Sequence, residues 1–586
     1  MDEITPDMIS RIASRLYNEP PNAKALPAAE TPLPEPSSVA PTGMPSPPVS
    51  VPHNSFPVHS GGMPGPSALP VGSPPAVPPN PGMGNLPTSP SFPGVPFSPP
   101  GFGGVPSFGG TPTFIHAPAF PAHGSAAEVP GAQGTSGGLS AFVQSIRASH
   151  FPGRNNGLGA TAVELRERQA LNKQYSAQGS RPMDVNAVRG DFPILRQRVH
   201  GKPLAWLDNA ATTQKPQSVI DAISHFYEND NSNIHRAAHT LAARATDAYE
   251  SARQKVQAFI GASSVKEIVF VRGTTEGINL IAKTYGAKFL QPGDEIVLSN
   301  LEHHANIVPW QMVAKEKGAH IRVIPVNDRG EIMMEEYQKI LGPRTKIVGL
   351  TQASNSLGTI LPVHEMTQIA KRYGARVLID GAQSVAHIPV NVQELGADFF
   401  VFSGHKIFGP TGIGAVYIKE ELHDFVPPWQ GGGNMIRNVT FEETSYSEAP
   451  AKFEAGTPNI ADAVGLGAAL DYVNRLGLPN IAAYEHHLLE YGTEQLLRIN
   501  GLRLIGTARE KVGVLSFVLP SKRTEEIGRH LDQEGIAVRS GHHCSQPSLR
   551  RMGVETTVRP SLSIYNTCSE IDRLADAIRR IQRLPS

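Results

Sequence analysis

Between Pro20 and Pro130 the chain places 31 prolines and 14 glycines among 111 residues, with only four charges, Lys24, Glu30, Glu35 and Glu128. Proline removes a backbone donor, glycine raises the entropy lost on ordering, and no regular apolar pattern offsets that loss. The stretch is therefore expected to be disordered or transiently extended. Few charges mean little self-repulsion, and Phe92, Phe97, Phe102, Phe108, Phe114 and Phe120 are scattered along it. It can collapse on itself or crowd against other copies.

Two apolar islands flank this stretch. In residues 4–17, Ile4, Met8, Ile9, Ile12, Leu16 and Tyr17 recur at helical spacing; in 139–151, Leu139, Phe142, Val143 and Ile146 share one face. Helices this short are marginal alone and gain order by docking, either onto the folded part of the chain or into a groove on another protein. A polar helix is expected at 163–177.

The whole chain of 586 residues balances 52 Lys and Arg against 52 Asp and Glu, which gives no support for general binding to nucleic acid or a membrane surface. Two cysteines, Cys544 and Cys568, make no disulfide framework and no four-thiolate zinc site, and they suit a reducing compartment. No apolar run reaches membrane-spanning length, and the opening MDEITPDMIS has no signal-like apolar core. A cytoplasmic location is expected, with no metal.

From residue 181 to 586 the composition is ordinary. Short β-rich runs alternate with helical stretches: 267–271, 295–300, 320–326, 346–352, 376–380, 398–403 and 414–418. This pattern predicts an α/β fold with a mostly parallel seven-stranded sheet covered by helices. The runs VGVLSFVL (512–519) and IAVRSGHHC (536–544) predict strands of a smaller α+β domain. We expect a large domain at about 205–460 and a small one from 181–204 plus 461–586.

Asp380 ends a predicted buried strand, and Lys406 follows just past the next one. Ligands of parallel sheets bind at the carboxyl ends of strands, so both side chains can face one crevice. A carboxylate pairing with a ring nitrogen and a desolvated lysine forming a Schiff base are what a protein supplies to pyridoxal phosphate. Thr274 and Thr275 follow Gly273 at a helix start, which suits a phosphate. His303 follows another strand and could stack on a flat ring or move a proton. Asn355 and Gln383, beyond further strand ends, could donate to a ring oxygen. Cys544 lies in a Gly-His-His-Cys turn, where His542, His543 and Arg539 are expected to favour the thiolate. Cys568 is expected to be a buried, inert hydrophobe.

DNAATTQKP (208–216), NIHRAAH (233–239), GTTEGIN, EHHANIVPWQ, SNSLGT, DGAQ, SGHKIFGPTGIG, FEAGTPN and RSGHHCSQP occur in this order. Together they resemble the cysteine desulfurases of the sulfur-mobilisation type (SufS-like, group II), which are fold-type-I pyridoxal phosphate enzymes. The resemblance covers nearly all of 181–586. It implies conversion of L-cysteine to L-alanine, with Lys406 as Schiff-base lysine, Asp380 at the pyridinium, His303 stacked on the ring and Asn355 and Gln383 near its oxygen. It further implies that Thr275, Ser403 and His405 hold the phosphate and that Thr457 reaches a partner subunit's phosphate in a homodimer. Arg539 and Arg559 would handle the substrate, and Cys544 would receive the sulfur as a persulfide. The short loop around Cys544 resembles the subclass that passes sulfur to a dedicated SufE-like acceptor protein. A selenocysteine lyase is the neighbouring alternative on this scaffold. The long extension, residues 1–180, resembles the N-terminal region of cysteine desulfurases that are cargo of encapsulins. This implies a bacterial enzyme loaded into a protein nanocompartment through its tail; the alternative is a tail that binds a soluble scaffold.

Overall fold

The computed structural model describes residues 183–235 and 238–585. The Pro/Gly-rich stretch, both apolar islands and the helix expected at 163–177 lie outside them.

All seven strands expected between 267 and 418 are present: β1 Ile268–Val271, β2 Glu295–Ser299, β3 His320–Ile324, β4 Thr345–Thr351, β5 Arg376–Asp380, β6 Phe399–Ser403 and β7 Gly414–Ile418. They form one sheet in the order β1-β7-β6-β5-β4-β2-β3. Only β7 runs against its neighbours, β1 and β6; the ladders from β6 to β3 are parallel. Strands β1, β6 and β7 are buried at every residue, which is why they read as unbroken apolar runs rather than alternating ones: helices cover both faces. At the edge, β3 leaves His320, Arg322 and Val323 exposed, and the charged and polar side chains there discourage further strand pairing. The helix Thr274–Ile281 presses directly on the sheet. A Cβ at Gly277 would lie 2.6 Å from Val416 Cγ2 and 3.1 Å from Val401 Cγ1, so only glycine allows this approach.

A second, four-stranded sheet contains β8 Arg503–Leu504, β9 Phe517–Val518, β10 Arg539–Gly541 and β11 Thr557–Arg559, in the order β8-β9-β11-β10. Its core packs Phe517 and Val558 with Leu488 and Leu496 of helix Leu478–Leu497, Ile527 of helix Thr524–Gln533, and Ile571, Leu574 and Ile578 of helix Cys568–Arg583. Here the strands expected from sequence are cut short. VGVLSFVL contributes only Phe517–Val518 to this sheet, because Val512 and Val514 turn aside to pack with Ala210 and Ala353. IAVRSGHHC is divided between two partners: Ile536–Ala537 pairs in parallel with Ala205–Trp206, and Arg539–Gly541 pairs with β11.

Among the described residues no helix is long and apolar enough to cross a membrane.

Candidate active site

Strands β4, β5 and β6 end at Thr351, Asp380 and Ser403. Their carboxyl ends open into a cavity of about 230 Å³ that these three residues line together with His303, Lys406 and Cys544. Asp380 Oδ1 accepts from Ala382 N at 2.9 Å. Burial raises its pKa above the usual carboxylate value, opposed by that N–H and by the charge of Lys406. Lys406 ends the short turn Gly404–Lys406 that follows β6. Burial pushes its pKa down to about 8; Asp380 and Cys544 pull it up, while Arg559 and Arg539 push it further down.

His303 caps the next turn: its Nδ1 accepts from Ala305 N at 3.0 Å, which places the ring proton on Nε2. Burial first, then the charges of Lys406, His304, Arg559 and Arg539, push its pKa down to about 3. At neutral pH the ring is therefore uncharged, with Nδ1 committed to the backbone. Behind it lies Glu302, to which the sequence reading assigned no role. Its carboxylate accepts from Ser299 Oγ at 2.5 Å, Asn306 Nδ2 at 2.7 Å and Thr351 N at 2.9 Å, tying the ends of β2 and β4 together beneath the His303 turn.

At one end of the cavity, Ser403 Oγ accepts from Thr274 N at 2.9 Å and lies the same distance from Thr274 Oγ1. The first turn of helix Thr274–Ile281 thus faces the cavity at Thr274 and Thr275, preceded by Gly273 at φ 150°, a conformation that other residues rarely adopt. The positive end of the helix dipole suits an anion there. His405 lines the same region, and its pKa is pushed down to about 4 by burial, Lys406 and Lys215.

The facing wall comes from the second sheet, where Arg539 of β10 pairs in register with Arg559 of β11. Asp208 holds both guanidinium groups, Arg559 NH2 at 2.9 Å and Arg539 Nε at 3.5 Å. Arg559 also donates through NH1 to Asn355 O at 2.9 Å, and its buried Nε has no partner. Asn355 and Gln383 line the cavity as expected. Each amide spends one bond on backbone, Asn355 Nδ2 on His543 O at 2.7 Å and Gln383 Nε2 on Ala210 O at 2.6 Å. One hydrogen remains on each amide nitrogen.

Cys544 is half-buried at the cavity wall in a strained turn, for His543 and Cys544 have consecutive left-handed φ values of 52° and 54°. The turn is held on several sides. His304 N donates to Cys544 O at 2.8 Å, Cys544 N to His542 Nδ1 at 3.1 Å, and Ser545 Oγ to Asn355 Oδ1 at 2.6 Å. The expectation that His543 favours the thiolate is corrected. Burial, chiefly, pushes its pKa down to about 3, so the ring is neutral and lends Cys544 no positive charge. Cys568 lies away from the cavity at the start of a helix, 3.9 Å from His487 Nε2, and burial pushes its thiol up to about 11. Thr457 does not line the cavity; its Oγ1 accepts from Asn233 Nδ2 at 3.2 Å.

Of the residues singled out from sequence, the cavity brings together Thr275, His303, Asn355, Asp380, Gln383, Ser403, His405, Lys406, Arg539, Cys544 and Arg559. Asp208 and Glu302 lay within quoted motifs, but nothing local marked one as an arginine partner and the other as a buried tie.

These residues fit pyridoxal phosphate. A buried carboxylate suits a protonated ring nitrogen, a desolvated amine suits an aldehyde, a helix start with hydroxyls suits a phosphate, and the two lining guanidinium groups of Arg539 and Arg559 suit an amino acid's carboxylate.

The aminotransferase class-V family profile matches residues 205–574. A cysteine desulfurase of Synechococcus elongatus is 64% identical over 412 residues, 70% of this chain and 66% of that protein. This chain thus spans less than two thirds of that relative's length. A cysteine desulfurase of Pectobacterium atrosepticum is 50% identical over 401 residues, 68% of this chain and 98% of that one. The crystal structure of the cysteine desulfurase CsdA from Escherichia coli superposes with a TM-score of 0.65 at 38% identity, over 69% of this chain and all of that one.

Proposed function

This chain belongs to the aminotransferase class-V family, among the cysteine desulfurases, and from that premise we propose that it takes sulfur from L-cysteine with the help of pyridoxal phosphate. The products are L-alanine and a persulfide on Cys544. The observation that carries this reading is the meeting of Lys406, Asp380 and Cys544 at one cavity.

Bound pyridoxal phosphate supplies an electron sink for carbanion chemistry at the substrate's Cα. Lys406 would tether it, and its Nζ, whose pKa burial lowers to about 8, would serve as the base that takes the substrate's Cα proton. Asp380 keeps the ring nitrogen protonated. Thr275, Ser403 and His405 would hold the phosphate, and the neutral His303 would lie against the ring. Asn355 and Gln383 offer their remaining amide hydrogens to the ring oxygen. Arg559 and Arg539 bind the substrate α-carboxylate, which aims the substrate sulfur at Cys544. Cys544 Sγ would bond to that sulfur as the Cβ–S bond breaks; the bonding pair stays with Cβ, which takes up a proton, Lys406 returns the proton to Cα, and alanine leaves.

The proposal extends to assembly. Thr457, outside its own chain's cavity, would reach the phosphate of a partner in a homodimer. The Cys544 turn, held by His304, His542 and Asn355, cannot carry a persulfide far, so a SufE-like acceptor protein would bring its own thiol to it. Residues 1–180 would act as a loading segment for an encapsulin shell, a reading supported by their Pro/Gly-rich composition and two apolar islands. Residues 181–586 would form the enzyme, with the domain limits expected from sequence.

The test is direct. The purified protein, loaded with pyridoxal phosphate, should release alanine from L-cysteine and show a persulfide on Cys544 by mass spectrometry. Alanine release without any persulfide on Cys544 refutes the sulfur route. Preference for L-selenocysteine over L-cysteine would make it the lyase instead. Co-expression with a shell protein should give loaded particles only when residues 1–180 are present; equal loading without them refutes the role of the tail.

A further inference from the structure

Four donors from the loop 212–215 converge on one backbone acceptor. The carbonyl oxygen of His405 accepts from Thr213 N at 3.0 Å, Thr212 Oγ1 at 3.0 Å, Thr213 Oγ1 at 3.1 Å and Lys215 Nζ at 3.3 Å. A carbonyl oxygen offers two lone pairs, so this one is crowded with donors. It belongs to the peptide that joins His405 to Lys406. The chain beyond is tied to the same loop, because Phe408 N donates to Thr213 Oγ1 at 2.8 Å. The preceding residue is fixed from another side, with Gly404 N donating to Ile413 O at 2.8 Å.

None of Thr212, Thr213 and Lys215 lines the cavity, so their bonds to His405 O are the contacts that link them to it. Lys215 is a costly residue for a merely structural place. Its amine meets two backbone carbonyls, Thr213 O at 2.5 Å and His405 O, and burial pushes its pKa down to about 8. The Lys406 amine, for its part, sits at the end of a long, flexible stem. It can be aimed reproducibly only if the backbone that carries it is held.

We propose that Thr212, Thr213 and Lys215 are positioning residues that clamp the His405 carbonyl, fix the peptide bearing Lys406, and so set the aim of the Lys406 amine. The proposal rests on the reading of Lys406 given above. Loss of the clamp would act through Lys406 and leave the Arg539 and Arg559 grip on the substrate carboxylate intact. It would therefore lower kcat and spare KM.

The test uses the full-length protein loaded with pyridoxal phosphate, with Thr213→Val as the principal variant and Thr213→Ser as its conservative rescue. Two readouts are followed: visible circular dichroism per bound cofactor, which reports how rigidly the chromophore is held, and kcat and KM for L-cysteine measured separately. Thr213→Val should lower the dichroism about twofold or more and kcat about tenfold, with KM unchanged, since small misplacements of reacting groups have effects of this size. Thr213→Ser should restore both. Thr212→Val and Lys215→Met should show smaller losses in the same pattern. If Thr213→Val does not fold, these two variants decide by the same readouts. Dichroism and kcat at parental values in the folded variants overturn the proposal, as does a raised KM with unchanged kcat. A parent protein that takes up no pyridoxal phosphate, or holds it at a residue other than Lys406, would instead refute the functional reading on which this rests.

Discussion

The two walls of the cavity are built differently. One consists of strand ends: Thr351, Asp380 and Ser403 close three adjacent parallel strands, and backbone ladders set their spacing. The other consists of two three-residue strands and a strained turn, where a short ladder is supplemented by residues far away in sequence: Asp208 holds both arginines through its side chain, and Asn355 holds the turn that bears Cys544. A wall set by backbone resists change until the fold fails, whereas a wall set by side chains can be altered residue by residue. The first is the wall proposed to hold the cofactor, and the second is the one proposed to meet the substrate. Substitutions should therefore separate cofactor binding from sulfur transfer.

The largest effect is expected at Lys406, where Lys406→Ala should lose the visible absorbance of the bound cofactor and turnover together. The loss of a general base alone is worth about 10²–10⁴-fold. Retained absorbance would break the division between the walls. On the other wall, Cys544→Ser should keep the absorbance but lose persulfide formation by on the order of 10²-fold or more, a hydroxyl being a poor nucleophile toward sulfur. Cys568→Ser should match the parent, and a persulfide found on Cys568 by mass spectrometry would reverse the two roles.

A stability measurement sharpens the same contrast. In the cofactor-free protein Lys406 has a pKa of about 8 against 10.5 in an unfolded chain. Between those values the unfolded chain binds more protons. The penalty that Lys406 places on folding is therefore full below about pH 8 and fades as pH rises to 10.5. Lys406→Met should be more stable than the parent at pH 7, by at most on the order of a few kcal/mol, and should lose that advantage near pH 10.5. Lys215 and Lys511 are pushed down to the same value, so the comparison must be between variant and parent. Thermal unfolding at both pH values checks it. A more modest effect is expected of Asp208→Asn, which should raise KM for cysteine about tenfold by loosening both arginines, the size of one lost charged hydrogen bond, with the cofactor absorbance unchanged. An equal fall in absorbance would show that the walls are not separable at this residue.

The difference between the walls also explains what the sequence could disclose. Apart from the edge strand β3, whose exposed residues alternate less cleanly, the strands of the large sheet were legible because a strand covered on both faces must be apolar nearly throughout. Asp380 and Lys406 were legible because a polar residue just after such a run stands at the ligand-binding edge of the sheet. The second sheet was harder to read. The run 512–519 is apolar along its length, yet Val512 and Val514 pack with Ala210 and Ala353 in a separate cluster, and no local pattern reveals that change of partner. Charge at His543 was misjudged for a similar reason. Two histidines and an arginine beside a cysteine look cationic, but the burial that leaves His543 neutral is a property of the assembled site. The converging donors on His405 O come from residues about 190 positions away in the chain, a relation that spacing cannot encode.

Asn355 joins two parts of the substrate wall. Its carbonyl receives Arg559, its amide nitrogen holds His543 O and its amide oxygen receives Ser545 Oγ. One residue thus connects the carboxylate grip with the thiol-bearing turn. For evolution or engineering, this would make the two properties inherited together: a change that reshapes the turn to admit a longer substrate should also shift the arginine proposed to anchor it. Substitutions at positions 355, 545 and 559 should then be epistatic, and a new specificity on this scaffold would arise more readily from concerted replacement of the three than from any sequence of single steps.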